Sequence, residues 1–225
     1  LRTLVVGDIH GCFDEFQALL DKVGLSDDDE IIAVGDLVNR GPASDKVLAF
    51  FQNMPNTRSI IGNHEHKHLR AVRGDIEPTL SILHTRWLLG NDYGEAVRYM
   101  ERLPLYIDLP DAWIVHGFWE PGVPLDEQED RILIGTMGAQ DYLETTCDGI
   151  WYEHYDGEKP LIVGHKDWSL SAQPFHYQDR VFGLDTGCVY GSKLTGLLLP
   201  DFEFFTVPAR DVHWQKLMQQ HESPS

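Results

Sequence analysis

Thr3-Leu4-Val5-Val6-Gly7-Asp8-Ile9-His10-Gly11 opens as four residues suited to a buried strand and breaks at a glycine into a short polar loop. The same figure returns twice within the first 65 residues. The apolar run at 30–34 ends in Gly35-Asp36-Leu37-Val38-Asn39-Arg40-Gly41, and that at 59–61 in Gly62-Asn63-His64-Glu65. Between them Phe13, Phe16, Leu19, Leu20 and Val23 recur at helical spacing, as do Val47, Leu48 and Phe51. Strand, amphipathic helix, strand is the pattern of βαβ units and predicts a layered α/β fold. Such sheets gather their chemistry at the carboxyl ends of strands, so the three loops are expected to converge on one site.

Working outward, residues 75–103 read as a helical cap with Leu80, Leu83, Trp87 and Leu88 on one face, closed by Pro104. Beyond it the chain is rich in strands, at 105–109, 112–115, 161–163, 181–184, 194–199 and 203–207, and Pro110-Asp111 and Pro200-Asp201 read as hairpin turns. A second sheet packed on the first follows, within a single domain over residues 1–225 whose polar end, 219–225, is expected to fray. The acidic run Asp27-Asp28-Asp29-Glu30 reads as a solvated turn before a strand.

With 42% hydrophobic residues in 225, the chain can build a real core, which excludes wholesale disorder. Thirty-six acidic residues against 18 basic ones give a formal charge of −18, which repels nucleic-acid polymers and anionic membranes. Nuclease activity is therefore expected to be low. Cys12, Cys147 and Cys188 form no CxxC pair, so neither a disulfide framework nor a structural zinc site is suggested, and a reducing compartment fits best. No signal-peptide pattern and no run of 18 apolar residues is present, and the expected location is the cytoplasm.

Aspartate, histidine and asparagine at the three loops are ligands suited to divalent cations such as Mn, Fe, Co or Zn. A carboxylate has two oxygens and can bridge two cations about 3.5–4 Å apart. Asp36 is the expected bridge.

Five stations in order, the three loops followed by Val115-His116-Gly117 and Val163-Gly164-His165, resemble the motifs of the calcineurin-like metallophosphoesterases of phosphoprotein-phosphatase type. The resemblance runs from residue 4 to about 206, and residues 184–196 are similar to the C-terminal signature of the small bacterial PrpE and diadenosine tetraphosphatase group. It implies two packed mixed β-sheets flanked by helices. It also implies that Asp8 and His10 bind a first metal, that Asp36 bridges, and that Asn63, His116 and His165 bind a second. Mn is the first choice for both ions, with Fe, Zn, Co or Mg as alternatives.

Two such cations lower the pKa of a bridging water and polarise a phosphoryl group, so that hydroxide attacks phosphorus in line without a covalent enzyme intermediate. Arg40, four residues past Asp36, offers a planar fork of donors to phosphate oxygens, and His64 is placed to protonate the leaving oxygen. The chain departs from the resembled motif at two places. Asn39 stands where the family has an aspartate that keeps the equivalent of His64 protonated, and Phe118 follows His116-Gly117 where His-Ala-Gly is more usual, which reshapes the pocket floor. An asparagine can orient His64 but brings no charge. The weaker acid favours leaving groups that depart readily, so the expected substrate is a small phosphoanhydride such as a dinucleoside polyphosphate. A serine/threonine protein phosphatase acting on a phosphoprotein is the alternative, and a non-catalytic metal-binding scaffold a more distant one.

Other residues have plainer readings. His66, His68, His84, His154, His176, His213 and His221 belong to no motif and are assigned surface or core roles. Cys12 and Cys188 read as packing residues. Asp185 either orients His165 or caps a turn, and Trp119, Trp151, Tyr152 and Trp168 read as core, with base stacking as the minority alternative.

Overall fold

The computed structural model describes residues 1–136 and 138–222. Ten strands form two five-stranded sheets. They are β1 (Thr3–Val6), β2 (Glu30–Ala33), β3 (Thr57–Ser59), β4 (Tyr106–Asp108), β5 (Trp113–Val115), β6 (Leu161–Val163), β7 (Phe175–Tyr177), β8 (Val181–Gly183), β9 (Lys193–Leu199) and β10 (Glu203–Pro208). The first sheet has the order β10-β9-β1-β2-β3 and the second β4-β5-β6-β8-β7. β1, β2 and β3 are mutually parallel, with Thr3 opposite Glu30 and Ile31 opposite Thr57, and so are β5, β6 and β8. Antiparallel strands flank each parallel set, which makes both sheets mixed.

Alternation along each strand places the core. Val5 and Ile32 of the first sheet meet Ile114, Ile162 and Phe182 of the second in a layer between the sheets. Leu4, Val6 and Ala33 face the opposite way, toward helices, and Leu161 and Val163 do the same on the second sheet. Strands buried on both faces read as continuous apolar runs, which is how the sequence presents them.

Helices α1 (Phe13–Val23) and α2 (Ser44–Asn53) cover the outer face of the first sheet, where Phe16 stacks on Phe51 at 5.6 Å. α3 (Asn63–Arg73), α4 (Leu80–Leu89) and α5 (Tyr93–Glu101) follow β3, while α6 (Asp130–Ile134) and α7 (Ala139–Thr146) follow β5. The last helix, α8 (His213–Glu222), is anchored where buried Glu15 accepts from the Arg210 amide at 2.9 Å and from His213 Nε2 at 2.7 Å. No helix among the described residues is long and apolar enough to cross a membrane.

Several expectations need correction. The tail expected at 219–225 begins inside α8, and residues 223–225 lie outside the described residues. In the 75–103 segment, α4 buries Ser81, Ile82 and Thr85, while Leu83 and Trp87 are 50% and 76% exposed. Of the face expected from Leu80, Leu83, Trp87 and Leu88, the middle pair is thus turned outward, while Leu80 and Leu88 are half-buried. The cause is polar: Thr85 reaches inward to Asn39. Asp29 is buried, accepting from the Arg2 amide and guanidinium and from the Ser26 amide, so the acidic run is solvated only in part. β7 and the helices α3, α6, α7 and α8 were not expected from the sequence, being short or poor in apolar residues.

Candidate metal centre

The parallel strands of both sheets end at one place. β1 leads into Asp8 and His10, β2 into Asp36, β3 into Asn63 at the start of α3, β5 into His116 and β6 into His165. Asp36 lies at the middle, its Oδ2 3.6 Å from His10 Nε2 and 3.5 Å from His116 Nε2. Two overlapping clusters of ligand atoms, His10 with Asp36 and His64, and Asp8 with Asp36 and His116, share this aspartate. His10 falls in one cluster, and Asp8 with His116 in the other.

The imidazoles are aimed by backbone carbonyls. His10 Nδ1 donates to Val38 O at 2.9 Å and His116 Nδ1 to Val34 O at 2.8 Å, which leaves each Nε2 lone pair facing the centre. His116 Nε2 and His165 Nδ1 each stand 3.0 Å from Asn63 Oδ1. With the amide oxygen so directed, oxygen and nitrogen ligand atoms converge on one point, where without a cation His116 holds a proton. The reversed amide would instead donate to both imidazoles and to Asp36 Oδ2 and accept from Lys67 Nζ at 3.2 Å. Convergent oxygen and nitrogen acceptors are what a divalent cation requires, so the residues present fit such an ion.

The backbone here is strained. His10, Asp36, Asn39, Arg40 and His165 all have φ between 47° and 75°, the left-handed region that non-glycine residues seldom occupy. Glycine is needed where chains close on the carboxylates: a Cβ on Gly62 would strike Asp36, and one on Gly164 would strike Asp8. The first-sheet loops are tied together by Glu65, fully buried, whose carboxylate accepts from the amides of Asp36, Leu37, Val38 and Gly62 at 2.8, 2.8, 3.3 and 2.9 Å. Asp8 accepts from the His165 amide at 3.0 Å, which joins the first sheet's loops to the second's.

The charges are strongly coupled. Burial and the neighbouring Asp185 push the Asp8 carboxyl well above its usual range. Burial likewise carries Asp185 up to about 6. Burial works against ionisation of Asp36 too, but His116, His64 and His10 outweigh it and hold Asp36 well below the usual carboxylate range. His116, despite the burial that opposes its charge, is pushed up to about 10 by Asp36 and Asp8. Protons here compensate for negative charge that a bound cation would balance.

A sequence profile of the calcineurin-like phosphoesterases matches residues 1–203. The chain belongs to that family. Among its relatives, a bis(5'-nucleosyl)-tetraphosphatase PrpE [asymmetrical] of Oceanobacillus iheyensis is 28% identical, with 92% of each chain covered. A symmetrical bis(5'-nucleosyl)-tetraphosphatase of Shewanella baltica is 32% identical over 95% of this chain and 84% of that one. A crystal structure of a protein assigned provisionally as a diadenosine tetraphosphatase superposes with a TM-score of 0.76 at 28% identity, covering 93% of this chain and 94% of the other. The calcineurin-like phosphoesterases are metal-dependent hydrolases, and the two mixed sheets with flanking helices are their architecture.

In this calcineurin-like phosphoesterase the three further residues singled out from sequence also lie at the centre. Arg40 Nη1 donates to His10 Nε2 at 3.2 Å, and its guanidinium stands 5.4 Å from the Tyr190 ring centre. Asn39 Oδ1 accepts from His68 Nε2 and from Thr85 Oγ1, each at 2.9 Å, which leaves Asn39 Nδ2 to donate to His64 Nδ1 at 3.0 Å. His64 therefore carries its ring proton on Nε2, and burial holds its pKa well below the ordinary value despite Asp36. His68, assigned no special role from sequence, is buried and holds Asn39 in place, with Tyr93 hydroxyl 3.0 Å from its Nδ1. Lys67 was missed as well, and its Nζ lies beside the Asn63 amide. Both were findable as the i+4 positions of His64 and Asn63 once a helix is started at Asn63. Asp185 caps its own turn, accepting from the Gly187 amide at 3.0 Å, and makes no hydrogen bond to His165 among the described residues.

Proposed function

We propose that this chain hydrolyses a phosphoanhydride of dinucleoside polyphosphates, diadenosine tetraphosphate being the type substrate, with paired divalent cations, Mn first among them, in a reducing cytoplasm. Asp8, His10 and Asp36 would hold one cation, and Asp36, Asn63, His116 and His165 the other. Bound there, the cations would polarise the phosphoryl group and lower the pKa of a water. Arg40, at the mouth beside His10, offers its free donors to non-bridging phosphate oxygens. His64 presents Nε2–H as a neutral donor toward the departing oxygen, and neither Asn39 nor its partners His68 and Thr85 supplies the negative charge that would make it imidazolium.

That amide facing His64 is the observation that carries the reading. A neutral imidazole donor suffices for a phosphate or nucleotide leaving group and serves a serine alkoxide poorly. The named activities of the Oceanobacillus and Shewanella relatives support the same substrate class. The test is the Mn-loaded protein assayed side by side on diadenosine tetraphosphate and a phosphoserine peptide, with nucleotide products separated to distinguish ATP plus AMP from two ADP. Faster turnover of the peptide would overturn the proposal and favour a protein phosphatase.

A further inference from the structure

We infer that a small aromatic cavity beside the metal centre seats the nucleobase of the substrate. This rests on the dinucleoside polyphosphate reading and adds where the ring is held. The cavity, of about 200 Å³, is walled by Phe118, Leu143, Trp151, Tyr152, Trp168 and Leu170. Phe118 and Gln140 also line a wider cavity of about 450 Å³ that includes Asn63 and His165. The aromatic cavity thus adjoins the one that reaches the metal centre. Phe118 forms the partition, its ring edge-on to His165 at 5.3 Å, to Trp168 at 5.7 Å and to Trp151 at 6.3 Å. This is the residue at which the sequence departs from the usual His-Ala-Gly.

Two features select a flat ring. The volume is below the roughly 300–1,000 Å³ of sites that enclose whole drug-sized ligands, so it admits one ring system and leaves sugar and phosphates outside. Leu170, 85% exposed at the lip, adds apolar surface that water covers poorly and a ring would cover well.

Three cations stand along the walls between the cavity and the metal centre, in a chain of net −18, together with Glu77, Glu144 and Asp167. Lys67 and Arg70 stand at i+4 and i+7 from Asn63 along α3 and line the wider cavity. Lys166 stands 5.5 Å from the Trp168 ring centre and donates to Gln140 Oε1. Both acids on the aromatic wall are hydrogen-bonded: Asp167 accepts from Ser169 and the Ala172 amide, and Glu144 from Gln140 Nε2 on the same wall. A polyphosphate on the lysines with its base among the tryptophans matches this order of charge and apolar surface.

Trp168→Ala tests the assignment, with Leu170→Asn as a variant at an exposed, left-handed position that asparagine tolerates. The ratio of kcat/KM on diadenosine tetraphosphate to kcat/KM on p-nitrophenyl phosphate is expected to fall about ten-fold in the first and less in the second, chiefly through KM, as loss of one stacked base implies. Saturation-transfer NMR of adenosine with the metal-free protein is expected to show contact in the wild type and its loss in Trp168→Ala. An unchanged ratio in both variants overturns the subsite while leaving the substrate reading intact. No cleavage of diadenosine tetraphosphate, with adenosine contact still lost in Trp168→Ala, overturns the substrate reading and leaves the subsite standing.

Discussion

The two flanks of the metal centre are built on different principles. On the first-sheet side, loops of a few residues are crowded with polar groups and locked by Glu65, which gathers four amides from two motifs. On the second-sheet side, His165 leans on Phe118, and an aromatic wall opens toward solvent past Leu170. The locked flank fixes where ligand atoms sit, at a cost in backbone strain that a mobile loop could not sustain. The open flank imposes little geometry on the centre and so is free to select what is brought to it. Chemistry and recognition are thereby separated in space, although both touch Asn63 and His165.

Each prediction either breaks or sharpens that division. Asp36→Asn, at the heart of the locked flank, is expected to abolish turnover on every substrate and to deplete both metal positions, read by elemental analysis; a wild-type rate would defeat the shared-ligand assignment. Glu65→Gln leaves one acceptor oxygen where four amides now find a carboxylate, and is expected to lower stability to urea by about 3 kcal/mol. If the midpoint does not move, the lock is not structural. Asn39→Asp places a charge against His64 Nδ1 and is expected to improve the phosphoserine peptide relative to diadenosine tetraphosphate by roughly ten-fold. An equal change on both substrates would detach leaving-group preference from this position. The smallest effect belongs to Thr85→Val, which removes one of two donors to Asn39 Oδ1 and should cost about 1 kcal/mol in thermal or chemical unfolding. A loss as large as that of Glu65→Gln would mean that the cap, and not the carboxylate, holds the locked flank together.

What the sequence made legible follows the same line. Asp8, His10, Asp36 and Asn63 could be named because each follows a strand beside glycines that mark a sharp turn, whereas His116 and His165 came only from the resemblance to the family's later motifs. β1 and β2 were readable as short continuous apolar runs, and α1 and α2 because their apolar residues repeat at a period near 3.6. α3 was not, since Asn63-His64-Glu65-His66-Lys67-His68 presents no apolar face, and with it went Lys67 and His68. The orientation of α4 was misread because Leu83 and Trp87 are large and apolar yet exposed, while the residue that turns the helix, Thr85, gains its importance from a partner 46 positions away. The aromatic wall draws on Phe118, Trp151 and Trp168, which no local pattern links.

Five residues at the metal centre hold torsions that glycine would adopt at no expense, yet His10, Asp36, Asn39, Arg40 and His165 cannot become glycine without giving up their side chains. At about 1–2 kcal/mol each, the tension is comparable with the whole margin by which a domain of this size stays folded. Efforts to make this protein withstand heat therefore have little to gain at its centre. The remaining surface, from the outward face of α4 to the lip at Leu170, is where tolerance for change is to be sought.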